Sequence, residues 1–409
     1  MTVAKGTSSV VPRLRLAEFR NDKGWVAWNL GRLVEFSSGG TPSKAEPSYW
    51  RGAIPWISAS SMYETNIADS DLKVTPLAIG NGTRLAPKGT ILVLVRGSML
   101  FNRVPMGITV ADVAFNQDVK ALKIDRGINA AFLLNQLIAV SPRIPINETG
   151  IGAGKIEMDT LADLPIYLPS EAEQQKIADC LTSLDEVIAA QGRKVEALKA
   201  HKRGLMQQLF PREGETVPRL RFPEFRDGPE WEERDVGDVF RVTRGDVLAM
   251  PLVMDQRSSE APYPVYSSQT KNQGLAGYYS KFLYEDAITW TTDGANAGEV
   301  NYRVGKFYCT NVCGVLLNSE GYANLCIAAL LNTVTRSHVS YVGNPKLMNG
   351  VMSKITIPLP SIAEQQRIAD CLSSLDTRIA TESNQLDALK THKQGLMQQL
   401  FPSPVEASA

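Results

Sequence analysis

The stretch LPSEAEQQKIADCLTSLDEVIAAQGRKVEALKAHKRGLMQQLFP occupies residues 168–211 and returns at residues 359–402. The two copies are identical at 30 of 44 positions. A repeat this close indicates two copies of one structural unit. The chain of 409 residues is therefore organised around a doubled element.

Each copy carries the signals of one long helix. The Pro-Ser-x-x-Glu start can form a capping box between Ser170 and Glu173, and again between Ser361 and Glu364. Each copy closes at Phe-Pro, and proline cannot continue a helix. The pattern predicts two helices of about 39 residues, each about 58 Å long.

Apolar residues recur along both copies at alternating steps of four and three. Such a narrow apolar seam is typical of a coiled coil. The predicted seam residues are Ile177, Leu181, Leu184, Ile188, Leu198, Leu205 and Leu209 in the first copy, and Ile368, Leu372, Leu375, Ile379, Leu389, Leu396 and Leu400 in the second.

A few polar residues, among them Lys202 and Lys393, interrupt the apolar seam. Their positions favour an antiparallel pairing. That pairing brings Lys202 near Asp370 and Lys393 near Asp179, whereas a parallel pairing would stack the two lysines. The seam could instead join separate chains, but a chain that carries both strands pairs internally at lower entropic cost.

A second repeat precedes each domain. VPRLRLAEFRNDKGW (residues 11–25) returns as VPRLRFPEFRDGPEW (residues 217–231), with nine of fifteen positions identical. We interpret these Arg-rich leading segments as solvated straps, with helix-docking roles for Phe19, Trp25, Phe225 and Trp231.

The two repeats define the expected architecture. We predict an α+β protein in which two globular mixed α/β domains lie at opposite ends of a long intramolecular antiparallel coiled coil, with a pseudo-twofold internal repeat. The expected segments are a first domain (1–167), a central helix (168–211), a second domain (212–358), a C-terminal helix (359–402) and a flexible tail (403–409).

Composition narrows the class of protein. Lys and Arg number 43, as do Asp and Glu, so the net charge is zero and argues against a strongly basic, sequence-indifferent nucleic-acid binder. Cys309 and Cys313 lack the companion ligands that a zinc site needs, and no metal site is predicted. The absence of a signal peptide and of apolar runs near 18 residues predicts a reduced, soluble, cytoplasmic protein.

Both domains read as short strands and turns. Residues 90–95 and FNQDVKALKI (115–124) are predicted strands, and a helix is expected near residues 130–139. Two pairs of residues occupy matching places in the two domains: Asn116 with Asn311, and Lys155 with Lys346.

These features together resemble the specificity subunit of a type I DNA restriction-modification enzyme. The resemblance is carried by the two LPS-x-AEQQ-x-IADCL-x-SLD helices that end in HK-x-GLMQQLFP, and by SGGTPSK, FNQDVKAL and YSSQTKNQG in the domains. It covers nearly the whole chain. It implies that each domain reads one half of a bipartite, asymmetric DNA site and that the helices set the gap.

The resemblance also implies partners. Two methyltransferase subunits, which use S-adenosylmethionine, are expected to dock on the helices, and two restriction subunits, which use ATP and Mg, complete the full complex. No cofactor is expected in this chain, and double-stranded DNA is its expected ligand.

Candidate DNA contacts are polar residues at the turns of the two domains. Ser and Asn in such turns often bond only their own backbone. Basic residues are expected at phosphates: Lys44, Arg96, Arg103, Lys155, Lys271 and Lys346. Hydroxyl and amide residues are expected at base edges: Ser43, Ser60, Asn116, Gln117, Ser268, Gln269, Asn272 and Asn296.

Two other classes of protein compete with this interpretation. A stand-alone DNA-modifying enzyme is disfavoured, because GIGAGK (150–155) lacks the spacing of a P-loop and Asn344-Pro345 lacks the following aromatic of adenine methyltransferases. No catalytic residue is predicted. A coiled-coil scaffold without DNA binding explains the seam but leaves the two variable, Gly-rich domains unexplained.

Overall fold

The computed structural model describes residues 9–150, 152–212, 214–269 and 272–402. The chain forms two compact units. Unit 1 contains the residues up to 191 together with those from 385 onward, and unit 2 contains residues 192–384. Each unit therefore includes about half of each repeated helix. The predicted tail at 403–409 lies outside the described residues.

The helices include the two that the repeat predicts, each 39 residues long. The hydroxyls of Ser170 and Ser361 accept bonds from the N–H groups of Glu173 and Glu364 at 3.3 Å, which caps both long helices. In chain order the helices of the described residues are α1 (Ala130–Val140), α2 (Met158–Ala162), α3 (Glu171–Leu209), α4 (Val236–Val239), α5 (Leu325–Val334), α6 (Asn349–Met352) and α7 (Ile362–Leu400).

The carboxylate of Glu173 binds the leading segment of unit 1. It accepts hydrogen bonds from Arg15 Nε at 2.8 Å and Nη2 at 2.7 Å, and from Trp25 Nε1 at 3.2 Å. Arg15 also donates to the carbonyls of Asp22 and Lys23. We call Arg15, Trp25 and Glu173 clamp 1. The prediction of a solvated strap is wrong at Arg15, because only 5% of this side chain is exposed.

Clamp 2 repeats this arrangement in unit 2. Glu364 accepts bonds from Arg221 Nε and Nη2, both at 2.7 Å, and from Trp231 Nε1 at 3.2 Å. Both Trp side chains are buried, so the helix-docking role predicted for them is confirmed. The repeated Arg and Trp of the leading segments thus fix each domain to the first turn of a long helix.

A glutamine next to each clamp glutamate accepts a hydrogen bond from the residue that caps the short helix of the same domain. Asn129 caps α1 and donates its N–H to Gln174 Oε1 at 3.0 Å. Asn324 caps α5 and donates its Nδ2 to Gln365 Oε1 at 2.7 Å. The Glu-Gln pair of both long helices therefore holds a leading segment and a domain helix together.

The long helices contact each other inside each unit with opposite chain directions. In unit 1, Ile177 and Leu181 lie in one apolar cluster with Leu400, and Asp185 pairs with Lys393 at 2.6 Å. All fourteen predicted seam residues are buried or half-buried.

Unit 2 shows the same opposed directions. Its Lys202 pairs with Asp376 at 2.6 Å, and Lys194 pairs with Glu382 at 2.6 Å. The predicted contacts of Lys202 with Asp370 and of Lys393 with Asp179 are therefore wrong. Each lysine instead meets an aspartate six positions further along the facing helix.

Unit 1 has its strands in several small sheets. In order, they are β1 (Ser9–Val10), β2 (Trp25–Asn29), β3 (Val34–Ser38), β4 (Trp50–Ile57), β5 (Asn66–Ile67), β6 (Lys73–Val74), β7 (Arg84–Ala86), β8 (Ile91–Leu94), β9 (Arg96–Gly97), β10 (Met106–Thr109), β11 (Val113–Phe115), β12 (Val119–Ile124), β13 (Asn147–Glu148), β14 (Gly154–Lys155) and β15 (Pro165–Leu168). The main sheet has the order β3-β12-β8-β10-β5, and a second has β6-β4-β11-β7. The predicted strand 115–124 is interrupted by a turn at 116–118.

In the described part of the chain, unit 2 has fewer strands than unit 1, and six of them form one sheet. Its strands are β16 (Glu232–Asp235), β17 (Arg241–Arg244), β18 (Tyr263–Tyr266), β19 (Leu275–Tyr279), β20 (Tyr284–Thr291), β21 (Val300–Cys309), β22 (Cys313–Leu317) and β23 (Thr356–Leu359). The six-stranded order is β17-β22-β20-β21-β18-β19. Buried apolar residues of β20 and β22 pack with α5 to form the core of this unit.

Candidate nucleic-acid interface

In unit 1 several strands end at one edge of the β-structure. β12 begins beside the ends of β8 and β3, because Val119 pairs with Leu94 and the next residue pairs with the last residue of β3. β4 and β11 run parallel and end together, with Ile57 paired with Phe115. The turns after these strands therefore meet. We define the unit 1 edge as turns 39–44, 58–61, 95–98 and 116–118 with the hairpin strands 147–148 and 154–155.

Two cations are neighbours on this edge. Lys155 on β14 pairs with Arg96 on β9. Lys155 is half-exposed and lies 2.7 Å from the carboxylate of Glu157, while Arg96 is exposed. Paired cations at strand ends suit an anionic ligand such as a phosphate.

Unit 2 brings the equivalent turns together. The Thr310 N–H donates to the Tyr266 carbonyl at 2.9 Å, and the Thr292 N–H donates to the Val312 carbonyl at 3.0 Å. We define the unit 2 edge as turns 245–247, 267–269, 272–274, 292–297 and 310–312 with the hairpin 340–346.

The predicted match between Asn116 and Asn311 is wrong, as the hydrogen bonds of the turn after Phe115 show. The Asn116 N–H donates to the Ile57 carbonyl at 3.0 Å, which is the bond that Thr310 makes in unit 2. Asn116 therefore corresponds to Thr310, and Gln117 corresponds to Asn311. The prediction was wrong by one position.

A glycine in each unit lets two turns touch. A Cβ on Gly39 would lie 2.0 Å from the carbonyl oxygen of Phe115, and a Cβ on Gly245 would lie 2.2 Å from that of Cys309. No side chain fits at such distances, so both edges require glycine here.

The charge at one matching place differs between the edges. Lys346 forms a backbone bridge with Asp293 of the turn after β20, and its Nζ lies 3.9 Å from the Asp293 carboxylate. In unit 1 the matching partner of Lys155 is Arg96. A lysine thus stands at this place in both edges, whereas the residue that pairs with it is positive in unit 1 and negative in unit 2.

Most of the predicted unit 1 residues gather at this edge. Asn116 is buried, and its Oδ1 accepts the N–H groups of Asp118 and Val119 at 3.1 Å, so this amide oxygen stabilises its own turn. The predicted residues with half-exposed or exposed side chains at the edge are Ser43, Lys44, Ser60, Arg96, Gln117 and Lys155.

Two of the candidates in unit 1, Ser43 and Arg103, form hydrogen bonds with the backbone. The Ser43 hydroxyl accepts the N–H of Ala45 at 3.3 Å. The Arg103 guanidinium donates to the Met62 carbonyl at 2.7 Å, which ties it to the turn after Ser60. Both side chains are exposed enough to meet a ligand as well.

Those predicted residues of unit 2 that the structure describes also lie at its edge. Gln269 and Asn272 are exposed, and Gln269 donates its amide to the Leu275 carbonyl. Ser268 and Asn296 are half-buried. Lys271 lies outside the described residues.

One residue of the unit 2 edge that the sequence did not indicate is Arg303, which is only 7% exposed. Its Nε donates to Thr289 Oγ1 at 3.0 Å, its Nη2 donates to the Gln273 carbonyl at 2.7 Å, and it lies 3.7 Å from the ring centroid of Tyr266. Burial lowers the pKa of this guanidinium. The arginine supports Gln273 in a left-handed conformation, with φ of 53°. Its place in an alternating strand gave no sequence signal.

Two cysteines of unit 2, Cys309 and Cys313, have buried thiols. Burial raises the pKa of the Cys313 thiol to about 11 and raises that of Cys309 further, which makes both poor nucleophiles. Among the residues that the structure describes, no cluster of three His, Cys, Asp or Glu side chains could hold a metal ion. In the same part of the chain, no helix combines the length and apolar character needed to span a membrane.

One known family model matches most of the chain. The model of the family described as type I restriction modification DNA specificity domain matches residues 22–200 and 229–391. The MjaIX specificity subunit of Methanocaldococcus jannaschii is 24% identical over 411 residues, which is 92% of this chain and 93% of the relative. The EcoR124I/EcoR124II specificity subunit of Escherichia coli is 30% identical over 168 residues, 40% of this chain and 42% of the relative.

Solved structures show the same fold. The S subunit of a type I restriction-modification system from M. genitalium gives a TM-score of 0.60 at 18% identity, covering 96% of this chain and 99% of that one. A chain from a study of complex assembly and conformational transition of the type I system gives 0.56 at 16% identity, covering 93% and 98%.

Proposed function

Because the chain belongs to the family that carries the type I restriction modification DNA specificity domain, we propose that it selects the DNA site for a type I restriction-modification enzyme. The observation that supports this proposal best is the pair of matching edges. Each gathers polar turns at strand ends and places a lysine, Lys155 or Lys346, on a hairpin beside them. Loops on a rigid β-scaffold are the usual place for binding residues.

The two kinds of side chain at each edge have separate proposed roles. Lys44, Arg96, Lys155 and Lys346 contact phosphates and fix the position of the duplex, because most protein–DNA hydrogen bonds go to the backbone. Amides such as Gln117 and Gln269 contact base edges, where Asn and Gln pair well with adenine. The edges carry different side chains at matching places, so the two units read different sequences.

The site is proposed to be bipartite. Units 1 and 2 each read one half-site, and the two long helices together form one antiparallel coiled coil that sets the number of unspecified bases between them. The opposed chain directions of α3 and α7 inside each unit support this arrangement. An antiparallel rod relates its two ends by a pseudo-twofold axis, so the domains meet the DNA in opposite orientations.

The chemistry is assigned to partner subunits. Two methyltransferase subunits bind S-adenosylmethionine and dock on the long helices, and two restriction subunits bind ATP and Mg in the full complex. This chain contributes no catalytic residue and no cofactor in the proposal. Because its ligand is chromosomal DNA and partner enzymes act with it, the proposed place of action is the cytoplasm.

The experiment changes the length of the helices. Seven residues are inserted into both, near Gln191 and Glu382, which preserves the phase of the seam and lengthens each helix by about 10 Å. This shift corresponds to roughly three base pairs at 3.4 Å each. Methylated sites are then mapped across the genome by single-molecule sequencing of cells that express the complex.

The expected result is the same two half-sites with a changed gap. Altered half-sites with an unchanged gap would reject the role of the helices as a ruler. Contiguous methylated sites in the parent protein would reject the two-unit proposal. A chain that assembles with the methyltransferase but supports no sequence-dependent methylation would be a scaffold instead.

A further inference from the structure

The hairpin at the unit 2 edge exposes two large side chains at its tip. Tyr341 is 68% exposed and Val342 is 91% exposed. Within the part of the chain that the structure describes, Val342 is the most exposed large hydrophobic residue. Neighbouring apolar side chains that are exposed together form a patch, and apolar patches mark interaction sites more often than isolated apolar residues do.

The tip is held firmly by the edge below it. Ser340 and Lys346 exchange backbone hydrogen bonds, both at 2.9 Å, which closes the hairpin. The Gly294 N–H donates to the Pro345 carbonyl at 3.0 Å and joins the hairpin to the turn after β20. Gly343 has φ of +79° and makes the reversal possible. The two side chains therefore project from a fixed position beside the polar turns.

The charges near the tip favour DNA as the ligand. In sequence, Lys346 follows the tip and Arg336 precedes it, and both are exposed. An apolar projection flanked by cations matches a stack of bases flanked by phosphates. Proteins that bend DNA commonly insert apolar side chains between base steps in this way.

We propose that Tyr341 and Val342 form a wedge that enters the DNA at the half-site read by unit 2 and partly unstacks one base step. This inference rests on the proposed function. The corresponding stretch of unit 1, TGIGAG at residues 149–154, contains no aromatic residue, and its Ile151 lies outside the described residues.

The test uses the complete methyltransferase complex on a duplex that carries its mapped site, with A·T pairs at the unspecified positions. Permanganate oxidises thymines that have left the stack. The double variant Tyr341→Ala/Val342→Ser removes the wedge. The control is Val304→Ser, since Val304 is 77% exposed on β21 and belongs to none of the turns of the unit 2 edge.

We expect reactive thymines at the unspecified positions next to the unit 2 half-site with the parent and control complexes, and none there with the double variant. The thymine opposite a target adenine is not counted, because methyltransferases flip that adenine out of the stack in every variant. The double variant should bind the duplex about tenfold more weakly, as expected for the loss of one stacking side chain, while it retains its methyltransferase subunits. Unchanged thymine reactivity would overturn the wedge. So would loss of the methyltransferase subunits, because the tip would then contact protein. If the parent complex does not bind the mapped site, the proposed function itself fails.

Discussion

Units 1 and 2 share a frame and differ in the surface that it carries. Clamps 1 and 2 have the same three residue types with nearly the same distances. By contrast, Arg96 in unit 1 is matched by Asp293 in unit 2. The frame therefore determines where an edge lies, and the edge determines what it can bind.

The sheets differ in a related way. In unit 2 the strand Val300–Cys309 is continuous and belongs to a sheet of six strands. In unit 1 the matching stretch is broken between Met106–Thr109 and Val113–Phe115, and the strands separate into two sheets. The turns at the edge nevertheless meet in both units, which shows that the edge depends on local register and not on one continuous sheet.

The clamps give the largest expected effect. Replacing Glu173 or Glu364 with Gln leaves a buried arginine without its carboxylate, and should destabilise the corresponding unit by about 3–5 kcal/mol. Chemical denaturation of the purified chain measures the loss. The control is Lys176→Ala, which removes an exposed pair with Glu18 and should cost less than about 1 kcal/mol. Very unequal losses at Glu173 and Glu364 would show that the clamps are not equivalent.

The close glycines give the next effect. Ala at Gly39 or Gly245 would force two turns apart and should cost about 1–3 kcal/mol, as other overpacked sites do. We expect Gly39→Ala to impair recognition of one half-site and Gly245→Ala that of the other, as measured by binding to duplexes altered in one half. Gly192→Ala, where a Cβ meets no atom within 4 Å, is the control. Equal losses at both half-sites would contradict separate reading.

The hairpin lysines test how the charge of each edge affects DNA binding. Ala at Lys155 or Lys346 should weaken DNA binding about tenfold, equally on cognate and other sequences, and reduce the salt dependence by about one charge. Asp293→Asn should strengthen binding at low salt, because it removes the acid beside Lys346. Titrations of the complex at several salt concentrations measure these slopes. Unchanged slopes for both lysine variants would remove them from the interface.

The helix glycines give the smallest effect. A Cβ on Gly204 or Gly395 meets no atom within 4 Å, so neither glycine serves an approach of the facing helix. Ala at each should stabilise the chain by about 1 kcal/mol, the ordinary difference in helix propensity. If these glycines admit a methyltransferase subunit, Leu at both should prevent co-purification without loss of stability. Normal assembly of the double Leu variant would leave them without a packing role.

Much of the frame could be predicted from residues near each other in sequence. Caps, terminal prolines and the apolar period gave two helices of 39 residues, because each signal acts within a few turns. The register between them could not be predicted, since a seam that repeats every seven residues accepts several offsets. The Lys202–Asp376 and Lys393–Asp185 pairs identify the offset that is used.

The candidate edges show the same division. Gly, Ser, Asn and Lys at strand ends indicated turns that could meet a ligand, and the chemistry of these turns follows from the residue types alone. Which side chains remain available depends on the fold: Asn116 is used in its own turn, while Arg303 lies buried beneath Gln273. The fold also joined Arg15 to Glu173 across 158 positions. The physical reason is that helix caps and periodicity act between neighbours in sequence, whereas burial and ion pairing depend on contacts that only the folded chain creates.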